Sequence, residues 1–157
     1  AFLREAQLNT MLNTSNTGMA VSLDVGDANS IHPPRKFILG KRLAYWALNK
    51  DYGFSSVNFS GPVYKSLEIK ENKVLVKFDF AENGLHCPDD VINNFELASE
   101  DKIFYPANAK IMWNQLEVQS DQVKNPVHVR YGWKNYLNGN LYNVRGLPAS
   151  SFRSDNW

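Results

Sequence analysis

His32 is the residue of this chain best suited to proton transfer, and the residues around it are of useful types. It follows Asp24-Val25-Gly26-Asp27-Ala28-Asn29-Ser30-Ile31 and is followed at once by Pro33-Pro34. An imidazole takes and returns a proton near neutral pH, and a nearby carboxylate can fix its tautomer and stabilise its charged form. Asp27, five residues earlier, is the acidic candidate for that role. The competing reading of the same residues is a capping or surface histidine. His86 and His128 show no spacing to Cys87 or to carboxylates that resembles a metal-ligand set. Cys87 is the only cysteine, so no internal disulfide holds the chain together, and a buried free thiol is expected.

The elements that must position His32 are legible on either side of it. Val21, Leu23 and Val25 alternate with Ser22 and Asp24, which predicts a strand over 21–25. Gly26-Asp27 breaks it, and a polar loop delivers the histidine. Pro33-Pro34 suits a first helical turn, where a missing N–H has no partner to lose. The helix is expected from about Pro34 to Asp51, burying Leu39, Leu43, Trp46 and Ala47, with Gly53 as its cap. An earlier helix carries Leu3, Leu8, Met11 and Leu12 and ends in the polar run Asn13 to Gly18. Its opening, Ala1-Phe2-Leu3-Arg4-Glu5, reads as the interior of a helix. Residues 1–53 thus form a helix-strand-helix unit of the kind that closes an α/β layer fold. One strand makes no sheet, so this unit should dock on strands supplied from outside it.

Residues 54–61 read as a linker, and strands follow from there. Val63 to Lys70, a turn at Glu71-Asn72, and the alternating Val74, Val76, Phe78 and Phe80 predict a hairpin. Asn93 to Ala98, Ala109 to Trp113, Leu116 to Ser120 and the run Val127, Val129, Tyr131 predict further strands, with a turn at Asn114-Gln115. Short strands between Gly, Asn and Pro turns point to a β-sandwich over 62–157. The last stretch crowds Trp133, Tyr142, Phe152 and several turn residues with little periodicity. Such a tail either stacks its rings on sugars or packs on a neighbouring domain, and packing is the simpler use of large apolar anchors.

Composition narrows the classes. At 157 residues, 43% hydrophobic and 21% charged, the chain should fold as one large or two small domains. Its formal net charge of +1 and the absence of a basic run give no case for nucleic acid. No apolar stretch approaches the roughly 18 residues of a membrane span.

Several blocks together resemble the sialate O-acetylesterase family, a branch of the SGNH-type serine esterases. Asp24-Val25-Gly26-Asp27 with Ile31-His32-Pro33 is similar to its catalytic-histidine block. Ser60-Gly61-Pro62-Val63-Tyr64-Lys65-Ser66 resembles the junction after its catalytic domain. Lys124-Asn125-Pro126-Val127 with Val129-Arg130-Tyr131-Gly132-Trp133 resembles a strand of its last β-domain. Asn140-Leu141-Tyr142-Asn143 with Gly146-Leu147-Pro148-Ala149-Ser150-Ser151-Phe152-Arg153 resembles its C-terminal signature. The likeness runs from about Leu3 to Trp157, with gaps around 83–110. It implies the C-terminal part of an esterase domain over 1–53, the linker, and a β-sandwich whose aromatic tail packs back on that domain.

The resemblance also implies a mechanism. A serine would attack the acetyl ester, typically a 9-O-acetyl group of sialic acid, with His32 as base and then as acid to the departing sugar hydroxyl. No metal or organic cofactor is needed. Two departures stand out. No serine here lies in the family's Gly-[Asp/Gln]-Ser-Asn block, so the nucleophile and its oxyanion donors would belong to an N-terminal, serine-bearing portion or chain, and this chain alone would be inactive. The position three before the histidine, usually aspartate in SGNH esterases, is Asn29, which leaves Asp27 or a group outside the chain to orient the ring. The resemblance places the parent protein in a secreted, periplasmic or lysosomal setting. Two other readings remain: an acetylesterase for another acetylated polysaccharide, and a non-catalytic β-sandwich that binds glycan or scaffolds a larger enzyme.

Overall fold

The computed structural model describes residues 1–157. Two helices come first: α1, Phe2–Asn13, and α2, Lys36–Lys50. Nine strands follow: β1 Val63–Lys70, β2 Lys73–Asp79, β3 Leu85–His86, β4 Ile92–Ala98, β5 Phe104–Met112, β6 Gln115–Gln119, β7 His128–Tyr131, β8 Tyr142–Asn143 and β9 Phe152–Arg153. No helix is long and apolar enough to cross a membrane.

Seven strands form one antiparallel sheet in the order β1-β2-β6-β5-β4-β7-β9, and β3 pairs with β8 in a separate ribbon. The hairpin at Glu71-Asn72 is present, with Leu67 opposite Val76 and Lys70 opposite Lys73. In β2 the alternation buries Val74, Val76 and Phe78 on one face. The expected sandwich is corrected, because the strands make no pair of facing sheets. Instead the long sheet curls until its ends meet. The Ser150 N–H beside β9 donates to the Pro62 carbonyl beside β1 at 3.0 Å, and Tyr64 of β1 stacks on Phe152 of β9 at 4.6 Å. The result is a near-barrel. Curling hides the edge groups that an open sheet would leave unpaired and gathers the inward side chains into one core. Phe95, Tyr131 and Phe152 pack there with Leu97, Leu116 and Val129.

The strand expected over 21–25 is absent, and residues 23–25 form a turn in which Val25 N–H reaches the Ser22 carbonyl. The alternation reflects burial of another kind. Leu23 joins the barrel core and Val25 is fully buried, while Val21 lies against them. The backbone groups that a strand would pair with neighbours are met mostly by side chains. Trp46 Nε1 donates to Met19 O at 2.9 Å, Arg42 Nη1 to Val21 O at 2.8 Å, and Gly139 N–H to Leu23 O at 3.0 Å. With no second strand beside it, the segment has nothing with which to form a ladder. The SGNH-type helix-strand-helix unit is therefore not formed as a sheet unit by these residues.

Helix α2 begins two residues later than the prolines suggested. Arg35 holds a non-helical ψ of 49°, and Lys36 is the first helical residue. At the other end Gly53 takes φ +74°, a region open to glycine at little cost, and Phe54 N–H bonds back to Leu48 O. The predicted buried face is also corrected. Leu39, Trp46 and Ala47 are half-buried and Leu43 is exposed, whereas the buried residue of α2 is Arg42.

The connection 54–61 is exposed over residues 54–56 and packed from Val57 onward. Asn49 Nδ2 holds Val57 O at 2.9 Å, and Phe59 lies edge-on between Trp46 and Phe80. Gly61 passes so close to the 147–148 segment that a Cβ there would sit 2.0 Å from the Pro148 carbonyl oxygen. Only glycine fits.

Candidate functional site

His32 stands in the exposed loop between the 23–25 turn and α2. The loop is shaped by its own short side chains. Asp27 Oδ1 accepts the Asn29 N–H at 2.8 Å, and Ser30 Oγ accepts the His32 N–H at 3.0 Å. Both are local turn devices of the kind Asp and Ser favour. Asp27 thus lies in the same loop as His32 with its carboxylate engaged on the backbone, and the imidazole makes no hydrogen bond within the chain. None of the serines bonds to that ring; Ser30 meets the His32 backbone alone.

The root of the loop is held differently. Asp24 receives a bidentate pair from Arg42, Nη1 to Oδ1 at 2.7 Å and Nη2 to Oδ2 at 2.6 Å. Only 8% of the Arg42 side chain and 11% of that of Asp24 remain exposed. Tyr142 OH, from the barrel side, donates to Asp24 Oδ2 at 3.4 Å. Burial first, then the Asp24 charge, push the Tyr142 phenol up to about 12, so it stays a donor at ordinary pH. Arg35 donates to the Asp24 carbonyl. Sequence reasoning noted Asp24 as part of the histidine block and overlooked Arg42. The available signal was an arginine falling among the inward positions of an otherwise apolar helix stripe.

A cleft of about 540 Å³ lies between α1, residues 17–23 and α2, lined by Met11, Val21, Leu39, Leu43, Arg4 and Ser151, and no residue of the His32 loop borders it. Helix α1 reaches the barrel through charge. Arg4 donates to the Gly132 carbonyl at 2.8 Å, the Lys134 carbonyl at 2.6 Å and Ser151 Oγ at 3.1 Å, while Glu5 takes a bidentate pair from Arg153.

The tail aromatics have their partners inside the molecule. Trp133 meets Phe2 edge-on at 5.4 Å and lies near the guanidinium groups of Arg130 and Arg153. Trp157 is packed by His128 at 4.5 Å, by Phe104, and by the Lys102 ammonium. Rings held in this way are anchors. The blocks singled out near the C-terminus are likewise structural. Asn143 Nδ2 bonds Ser60 O and Phe80 O while its Oδ1 accepts the Arg145 and Leu147 N–H groups. Asn140 bonds Asp89, Val91 and Asn93. Cys87 is a free, half-buried thiol; burial pushes its pKa up, which does not suit a nucleophile. His86 is exposed, and His128 Nδ1 lies 3.2 Å from Ser154 Oγ.

Among solved structures, the chain is similar to a carbohydrate acetylesterase from Xanthomonas citri, at 38% identity and a TM-score of 0.92 over 99% of this chain. It spans 36% of the length of that protein. No protein-family profile matches the chain, and no curated protein matches it. An identity of this size over nearly every residue reaches beyond a shared fold, and relates these residues to part of a carbohydrate esterase.

Proposed function

We propose that these residues form the histidine-bearing part of a carbohydrate esterase that removes O-acetyl groups from sugars. The observation that carries the reading is the 38% identity, over 99% of this chain, to part of a protein described as a carbohydrate acetylesterase. His32 is the base. It takes the proton of a serine supplied from outside these residues, then returns it to the sugar hydroxyl as the alcohol leaves, and water completes hydrolysis of the acetyl-enzyme. Asp27 is the acidic residue assigned to its loop. The preferred substrate is an O-acetylated sialic acid, with another acetylated polysaccharide as the alternative.

The outward face of residues 1–54 supports an incomplete site. Ile31 is 90% and Phe37 82% exposed, Leu43 borders the open cleft, and Phe2, Leu3 and Leu12 also face outward. Large apolar side chains left exposed in this way are open to a partner. The serine-bearing portion is that partner in this reading.

Acetate release from 9-O-acetylated sialic acid and from acetylated xylan, measured for the complete enzyme and for the 157-residue chain alone, tests the proposal. The complete enzyme should release acetate, fastest from the sialic acid, and the chain alone should stay at background. Turnover by the isolated chain that disappears in His32→Ala would place the nucleophile inside it. A complete enzyme inert on every acetylated sugar would end the esterase reading.

A further inference from the structure

The loop that presents His32 has little to hold it in place. From Gly26 to Pro34 the only hydrogen bonds are the internal ones from Asn29 N–H to Asp27 and between Ser30 and His32. The side-chain hydrogen bonds that hold the root of the loop converge on Asp24, two residues before it. Arg35, where the loop ends, donates to the Asp24 carbonyl and so ties the far end back to the near one. Arg42 grips the Asp24 carboxylate with both Nη atoms and holds the Val21 carbonyl as well. Tyr142 brings the barrel to the same carboxylate. The chain from Asp24 to Arg35 is a closed loop that carries His32 three residues before its Arg35 end.

A pair this buried is a poor device for stability alone. Desolvating both ions costs about as much as their attraction returns, and apolar residues of similar size often serve equally well. What a bidentate pair supplies is a fixed distance and a fixed angle. We propose that Arg42 is a positioning residue for acyl transfer: its fork on Asp24 sets the root of the loop, and so aims the His32 imidazole at the attacking hydroxyl. This rests on the reading of His32 as base.

The test uses the complete enzyme with 4-nitrophenyl acetate as substrate, and kcat is expressed per folded protein, counted from absorbance and circular dichroism. Arg42→Met should lower kcat at least about tenfold with KM within about twofold, since small misplacements of a catalytic group are costly. Arg42→Lys should recover only part, because an ammonium cannot form the fork. Added guanidinium should restore activity to Arg42→Met, which a general loss of folded protein would not allow. Should Arg42→Met fail to fold, the near-isosteric Asp24→Asn replaces it and should show the same fall in kcat at constant KM. Wild-type kcat per folded protein in either variant overturns the proposal. His32→Ala, measured alongside, separates the two claims. If that variant stays active the base assignment falls; if it is inactive while the Arg42 and Asp24 variants match wild type, only the positioning role falls.

Discussion

The two halves of the molecule spend their apolar residues in opposite ways. From residue 62 onward most turn inward, although Trp113, Val91 and Ile103 among others stay exposed, and Val74, Val76, Leu97, Leu116, Val118 and Val129 are sealed inside a sheet that closes on itself. Before residue 55 only Leu8, Leu23 and Val25 are buried apolar residues, and Leu23 is borrowed by the barrel core. The rest of that region is fastened to the barrel by Arg4, by the pair Glu5–Arg153 and by the Tyr142 hydroxyl on Asp24, while Ile31, Phe37 and Leu43 face outward. The contrast shows that the second region buries a core of its own, whereas the first leaves most of its large apolar side chains partly or fully exposed.

The largest effect should come from breaking the closed core. Phe152 touches Tyr64, Phe78, Phe95 and Tyr131, and joins the two ends of the curled sheet. Phe152→Ala should cost about 3–5 kcal/mol in denaturant unfolding. A loss under 1 kcal/mol would mean that the barrel does not depend on closure.

Next comes the Arg130–Asp155 pair, bidentate at 2.8 and 2.7 Å, with the Asp155 side chain 0% exposed. Burial alone would raise the Asp155 pKa, but the Arg130 hydrogen bonds and charge, helped by Trp157 N–H and Arg153, hold the carboxyl below its ordinary 3.8. Its folded pKa is depressed, so its contribution is present above that ordinary value and is lost as pH falls through the folded one. Asp155→Asn should cost about 3–5 kcal/mol at neutral pH by leaving Arg130 unpaired. The deficit should narrow below about pH 3.8, seen as converging melting curves. A deficit unchanged by acid would remove the charge from the explanation.

Gly61→Ala should cost about 1–3 kcal/mol, because the Pro148 carbonyl must move to admit a Cβ. The smallest effect belongs to the outward face. Phe37→Ser and Leu43→Ser should change the melting of the 157-residue chain by no more than about 0.5 kcal/mol, yet weaken its association with the serine-bearing portion in sedimentation. Strong destabilisation of the chain itself would erase the distinction between its two halves.

How far the sequence could be read follows the same division. The β1–β2 hairpin and the alternation of Val74, Val76 and Phe78 were plain, because period-two burial is a local pattern. Curling of the sheet was not, since it depends on Pro62 meeting Ser150 across nearly ninety residues. The strand over 21–25 was misread because alternating burial looks the same whether a ladder satisfies the backbone or, as here, the Trp46 and Arg42 side chains and the Gly139 N–H do so. The loop around His32 was legible from Gly26-Asp27 and Pro33-Pro34. Its anchor was not: Arg42 lies on a helix whose apolar spacing directed attention to Leu39 and Leu43. Short β3, β8 and β9 left no periodicity to find.

The central claim divides the chemistry, with the base on this chain and the nucleophile outside it. Labelling the complete enzyme with a phosphonofluoridate that phosphonylates activated serines, then locating the adduct by peptide mass, addresses both halves at once. The account predicts an adduct on a serine outside these 157 residues, and labelling that collapses in His32→Ala. An adduct on Ser22, Ser30, Ser150 or any other serine of this chain, or undiminished labelling in His32→Ala, would contradict it.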